Sequence, residues 1–131
     1  RGGDGGRPWC HLPPPRPAAL SDDAIAPRPR MRPALLVTRR LPAAVEARLA
    51  FRFATTPNAA DAPPDHAALV AALRGHDAVC CTVTDRLDAS VFEEAARGAG
   101  GIRARILANV GVGVNHVALD AARAHGVRVT N

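Results

Sequence analysis

From Met31 onward the chain alternates short apolar runs with longer segments in which apolar residues recur every three or four positions. ALLVT (34–38) is a compact apolar run ending at Arg39 and Arg40, the pattern of a parallel strand buried on both faces. In LPAAVEARLA, Pro42 suits a helix start, and Leu41, Val45 and Leu49 stand four apart on one face. FRFAT (51–55) alternates apolar and polar positions and predicts an edge strand with Phe51 and Phe53 turned inward. After the loop TTPNAADAPPD, Asp65 is placed to cap a helix with the stripe Leu69, Val70 and Leu73, which Gly75 should end. AVCCTV (78–83) reads as a third apolar strand, and Asp88 caps a helix carrying Val91, Phe92 and Ala95, closed by the glycines of RGAGG. ARILANV (104–110) is the fourth strand. A Gly-rich turn follows, then a helix VALDAARAHG stopped by Gly126, and VRVTN opens a fifth strand.

Strands alternating with helices through short connections predict an α/β fold: a doubly wound, parallel, five-stranded sheet of flavodoxin-like type over residues 31–131. Right-handed crossovers would place helices on both faces. No such rhythm precedes Met31. Residues 1–30 hold seven of the twelve prolines and four of the eleven glycines. Such a segment cannot bury enough apolar surface to offset the entropy of ordering it, so a disordered extension is expected there, with Met31 as the natural start. An Arg-rich transit peptide is the alternative; the prolines and Asp4, Asp22 and Asp23 argue against it.

Composition narrows the function. The net charge is +5 and all 17 basic residues other than histidine are Arg, but they are scattered and often adjoin Asp or Glu. That is the distribution of a solvated shell, not of a nucleic-acid face, and the few aromatic residues offer no stacking platform. Cys10, Cys80 and Cys81 form no C-x-x-C pair and no Cys/His metal spacing. Cys80 and Cys81, being neighbours on a strand, should point to opposite faces as buried, reduced thiols. No apolar run approaches the ~20 residues needed to cross a bilayer, and no signal-type h-region stands at the N-terminus. A cytoplasmic protein with no metal, nucleic-acid or membrane partner is the expectation.

Ligands of open α/β sheets bind beyond the carboxyl ends of the strands. Two such ends stand out: Thr82-Val83-Thr84-Asp85 and Gly111-Val112-Gly113-Val114-Asn115-His116. Glycines at a strand-to-helix turn leave backbone N–H groups uncovered, and at a helix N-terminus these suit a carboxylate. A dinucleotide fingerprint needs a small sixth residue, but counting from Gly111 the sixth is the bulky His116. A tight turn without a ligand is the plain alternative.

The stretch ILANVGVGVNHVALDAARAHGVRVTN (106–131) resembles the D-isomer-specific 2-hydroxyacid dehydrogenases, especially the glyoxylate and hydroxypyruvate reductase branch. DAVCCTVTDRLDASVFEEA (77–95) and MRPALLVTRRLP resemble the family's preceding strands, so the likeness covers residues 31–131. It implies a substrate-binding (catalytic) domain truncated before the nucleotide domain. The N–H groups of Val112 and Gly113 would hold the carboxylate of a small 2-keto or 2-hydroxy acid, and Val83 would line the pocket. Val114 departs from the Tyr that relatives often carry, which should alter pocket lining or domain packing and not the amide site.

The resemblance also implies what lies elsewhere. The orienting Arg, the proton-donating His and the Glu that tunes it would all come after Asn131, as would the G-x-G-x-x-G turn for NAD or NADP. A helix completing this domain would likewise return from that portion. No catalytic residue and no bound cofactor are therefore expected within the chain, and the chain alone should be inactive. Full-length relatives form homodimers mainly through the nucleotide domain, so no native dimer is expected of this chain. His116 would help to order the turn. His125 suits a helix C-terminus, and Asp120 and Arg123 can pair three apart. A non-catalytic flavodoxin-like binding or co-regulator module is the competing reading. A phosphoacceptor module is disfavoured, since the first strand leads into Arg39 and Arg40 and the third ends in Thr82 and Val83.

Overall fold

The computed structural model describes residues 31–131. The expected extension at residues 1–30 lies outside the described residues. The strands are β1 (Ala34–Val37), β2 (Ala54–Pro57), β3 (Ala78–Thr82), β4 (Ile106–Val110) and β5 (Arg128–Thr130). They alternate with α1 (Ala43–Arg52), α2 (His66–Gly75), α3 (Ala89–Arg97) and α4 (Leu119–Ala124). Every neighbouring pair is parallel, in the order β2-β1-β3-β4-β5. This is the doubly wound sheet predicted, and its strand order turns back on itself at β1 and β3.

The two faces are covered unequally. On one, Leu69 and Leu73 of α2, Val91 and Phe92 of α3 and Ala122 of α4 pack over Val79, Cys81 and Leu107. Phe92 is fully buried there, and burying a side chain of that size stabilises by about 1.5–3 kcal/mol. On the other face Leu35, Val37 and Cys80 meet Leu49 of α1 and the flanking Leu41 and Phe53. The neighbouring cysteines thus enter different clusters, as strand alternation requires. Burial raises both thiol pKa values, and Cys81, with Asp85 adding to the effect, is pushed up to about 12. Neither thiol of the native chain should react with a disulfide reagent at pH 8, while both should react on unfolding. Mass mapping of the labelled peptides checks this, and rapid native labelling of Cys81 would contradict the burial.

Helix α1 corrects two expectations. It runs on through Arg52, so β2 begins at Ala54 and the strand predicted over 51–55 is displaced. Phe51 lies on the helix, 82% exposed, and does not turn inward. The alternation of Phe51 and Phe53 competed with a four-residue spacing, Val45, Leu49 and Phe53, and the latter won. Phe53 closes the helix, its N–H donating to the Leu49 carbonyl at 2.8 Å. Val45 is 42% exposed, off the inward face expected of it, and a groove of about 380 Å³ runs beside α1, lined by Val37, Glu46, Leu49, Thr55 and Pro57. Pro57 is tolerated because β2 is an edge strand.

The caps follow the sequence more closely. Asp65 accepts from the Ala68 N–H at 2.8 Å, and Asp88 from Val91 and from the Ser90 hydroxyl. Gly126, at φ 71°, ends α4. Gly75 is instead the last residue of α2, and the chain leaves through an extended His76. Asp120 and Arg123 pair at 3.8 Å on an exposed face of α4.

Candidate functional site

Beyond the carboxyl ends of β1, β3 and β4 three loops meet. Thr38, just past β1, is buried, and its hydroxyl donates to Asp85 Oδ2 at 2.5 Å. The same oxygen accepts the Thr82 N–H at 2.8 Å, and the Asp85 N–H returns to the Thr82 carbonyl at 3.0 Å. Asp85 is fully buried, so one carboxylate ties β1 to the turn after β3. That turn presents Val83, 57% exposed, to the neighbouring loop.

Gly111 opens that loop at φ 146°, a backbone state close to glycine-only. A Cβ at this position would come within 3.1 Å of Val83 Cγ1, so the two loops approach closely because Gly111 has no side chain. Gly113 carries no positive φ, so of the two glycines only Gly111 needs its conformational freedom.

Side-chain amides hold the rest of the turn. Asn109, buried at the end of β4, donates through Nδ2 to the carbonyls of Gly111 at 3.0 Å and Gly113 at 2.9 Å. Asn131 donates through Nδ2 to the Val112 carbonyl at 3.0 Å. Among the described residues, nothing accepts from the N–H groups of Val112 or Gly113. Val112 is 92% exposed, so these donors stand on an open rim facing solvent. The larger crevices lie elsewhere, for example a groove of about 520 Å³ between the 57–65 loop and α2.

One expectation fails in its physics. The sequence puts the amide pair at a helix N-terminus, but α4 starts only at Leu119, six positions past Gly113. The residues between are drawn instead to the loop before α3: Leu87 N–H donates to the His116 carbonyl at 2.9 Å, and Ala118 N–H to the Leu87 carbonyl at 2.8 Å. Any anion affinity therefore rests on the uncovered amides and not on a helix dipole. Of the residues singled out from sequence, the structure brings Val83 against Gly111 and places Val112 and Gly113 beside them. His116 contributes its carbonyl, and its ring Nε2 is buried without a partner among the described residues.

Sequence reasoning missed Asn109, Asn131 and the Thr38–Asp85 tie. A signal existed for the first: Asn109 is the one strongly polar residue in the apolar strand ILANV, and a buried Asn needs partners. Arg39, at the same edge, is engaged by Asp61 at 3.1 Å and reaches Thr84 at 3.3 Å. The Asp61 carboxyl is held below its usual range by the Arg40 backbone N–H and then by the Arg39 side chain.

Comparison with known proteins adds to this geometry. Residues 36–131 match the profile of the D-isomer specific 2-hydroxyacid dehydrogenase catalytic domain. A glyoxylate reductase of Korarchaeum cryptofilum is 30% identical over 101 residues, which are 77% of this chain and 29% of that protein. Among solved structures, the NADPH-dependent glyoxylate/hydroxypyruvate reductase of Sinorhizobium meliloti, in complex with NADP and malonate, is 27% identical with a TM-score of 0.55. The match covers 76% of this chain and 28% of that one. The pyruvate reductase of Chlamydomonas reinhardtii is likewise 27% identical, with a TM-score of 0.56, over 76% of this chain and 29% of that one. The chain thus spans about 29% of the length of the curated relative it matches.

Proposed function

Given that this chain belongs to the D-isomer specific 2-hydroxyacid dehydrogenase family, we propose that residues 31–131 are the substrate-holding part of such an oxidoreductase. The N–H groups of Val112 and Gly113 grip the carboxylate of a small 2-keto or 2-hydroxy acid, glyoxylate or hydroxypyruvate being the expected class. The observation that carries this reading is the pair of unused, exposed amides at the carboxyl edge of the sheet. Hydrogen bonds from N–H to an ionised carboxylate are about twice as strong as neutral ones. Val83 and Val112 supply apolar flanks that leave room for a short carbon chain and offer no partner to a second charged group.

Interconversion of a keto acid and a hydroxy acid moves a hydride to or from C2 and a proton to or from the oxygen on it. Val83, Val112 and Gly113 can hold and orient the acid but can do neither transfer. The nicotinamide dinucleotide used by the family supplies the hydride. The described residues do not fit it: the turn reads Gly111-x-Gly113-x-x-His116, and no helix begins until Leu119. In this reading the cofactor meets the acid from another surface, placed over the open rim.

Two measurements test the proposal. In a ¹⁵N spectrum of this chain, glyoxylate should shift the Val112 and Gly113 amide signals, with a Kd on the order of 1 mM, since only two donors act. Chloride at matched ionic strength should leave them in place. Glyoxylate or hydroxypyruvate with NADH or NADPH should show no oxidation of the cofactor by the 131-residue chain alone. Turnover by the chain, or shifts confined to loops other than those carrying Val83 and Val112–Gly113, would remove the assignment.

A further inference from the structure

The amides of a turn are useful to an anion only if they point at it, and in a flexible Gly-Val-Gly stretch nothing local decides where they point. Here three successive carbonyls are each held by a side-chain amide. Asn109 Nδ2 takes those of Gly111 and Gly113, and Asn131 Nδ2 takes that of Val112. All peptide bonds in the described chain are trans. In a planar trans peptide the N–H points opposite to the carbonyl that precedes it. Holding the Gly111 carbonyl toward Asn109 therefore turns the Val112 N–H away from Asn109. Holding the Val112 carbonyl toward Asn131 turns the Gly113 N–H away from Asn131. Each side chain acts on the amide one residue further along.

We propose that Asn109 and Asn131 are positioning residues: by clamping the Gly111 and Val112 carbonyls they direct the Val112 and Gly113 N–H groups toward the bound carboxylate. The inference rests on reading that amide pair as the carboxylate site, but its claim about orientation stands apart from it. The chemistry demands a carboxamide at position 109. Both of its N–H bonds are used by two carbonyl oxygens, which an aspartate at the same place could only repel. Asn109 is buried at the end of β4, whereas Asn131 is exposed and reaches in from beyond β5. The turn is thereby braced from two strands, β4 and β5, which pair in parallel through Ala108 and Thr130. Both Nδ2 groups are taken up by carbonyls of the turn, so each asparagine acts through the backbone it holds.

The test uses ¹⁵N-labelled chain, wild type and Asn131→Ala, with Asn109→Ala as a second variant. Asn131 is exposed and its side chain makes one hydrogen bond among the described residues, so its alanine variant should keep the wild-type thermal midpoint. Residual dipolar couplings of the Gly113 N–H should nevertheless change in Asn131→Ala while those of the strands stay fixed. Glyoxylate binding should weaken about fivefold, the effect expected of losing one hydrogen bond's worth of orientation. Asn109→Ala should move the Val112 N–H coupling and weaken binding more; should it fail to fold, Asn131→Ala decides alone. An unaltered Gly113 coupling in Asn131→Ala overturns the proposal, as does unchanged glyoxylate affinity. A wild-type chain that shows no glyoxylate shifts would instead sink the carboxylate reading, and the couplings would still decide the orientation claim.

Discussion

Asp85→Ala is expected to cost about 3–5 kcal/mol of stability, while Asp85→Asn stays within about 1 kcal/mol of wild type. The alanine leaves the Thr38 hydroxyl and the Thr82 N–H without an acceptor in a buried place, and each such orphan costs about 1–3 kcal/mol. It also opens a void where the carboxylate was. Against the ~5–15 kcal/mol typical of a whole domain, that is a large share. Asparagine keeps one oxygen where Asp85 Oδ2 accepts both bonds and puts its NH₂ where Oδ1 has no partner. Urea unfolding followed by circular dichroism measures both. Equal losses in the two variants would mean that the charge, and not the acceptor oxygen or the bulk, is what the structure uses. The functional consequence follows from position: the turn pinned by Asp85 carries Val83, so the alanine should also loosen the Val83–Gly111 approach and broaden the Val83 methyl signals.

The contrast between what the sequence disclosed and what it hid has a physical basis. Parallel strands covered on both sides read as unbroken apolar runs, which is why β1 and β3 were placed to within a residue from ALLVT and AVCCTV. Caps are local, so Asp65 and Asp88 were readable from their place ahead of an apolar stripe. Phe51 reads as inward because Leu49 and Phe53 fit a period of two as well as a period of four, and only the packing of Leu49 and Phe53 on Leu35 and Val37 decides between them. The location of the amide pair was legible from the glycines and from family likeness. Its support was not: Asn109 and Asn131 are far apart in chain order and meet only around one turn, and Asp85 draws its meaning from Thr38, 47 positions away. A helix dipole was inferred from a short spacing between turn and helix, which the bridge of Leu87 to Val117 takes up instead.

Gly111→Ala should abolish glyoxylate shifts at Val112 and Gly113 and lower stability by about 1–3 kcal/mol, the usual strain of a side chain forced into a glycine-only backbone state. Two causes act at once, and they can be separated. The new Cβ would stand 3.1 Å from Val83 Cγ1, a crowding that one neighbour can relieve by a few tenths of an ångström. The φ of 146° has no such remedy, since it is the residue's own backbone that must move. Relaxing it rotates the peptide between Gly111 and Val112, which swings the Val112 N–H off its line and pulls the Gly111 carbonyl from Asn109. The double variant Gly111→Ala, Val83→Ala removes the crowding and leaves the strain. It should therefore regain some stability and none of the binding. The same ¹⁵N titration reads both variants. If removing the Val83 methyls restores the shifts, the loops are set by contact alone, and the backbone conformation of Gly111 is not what holds the amides in place.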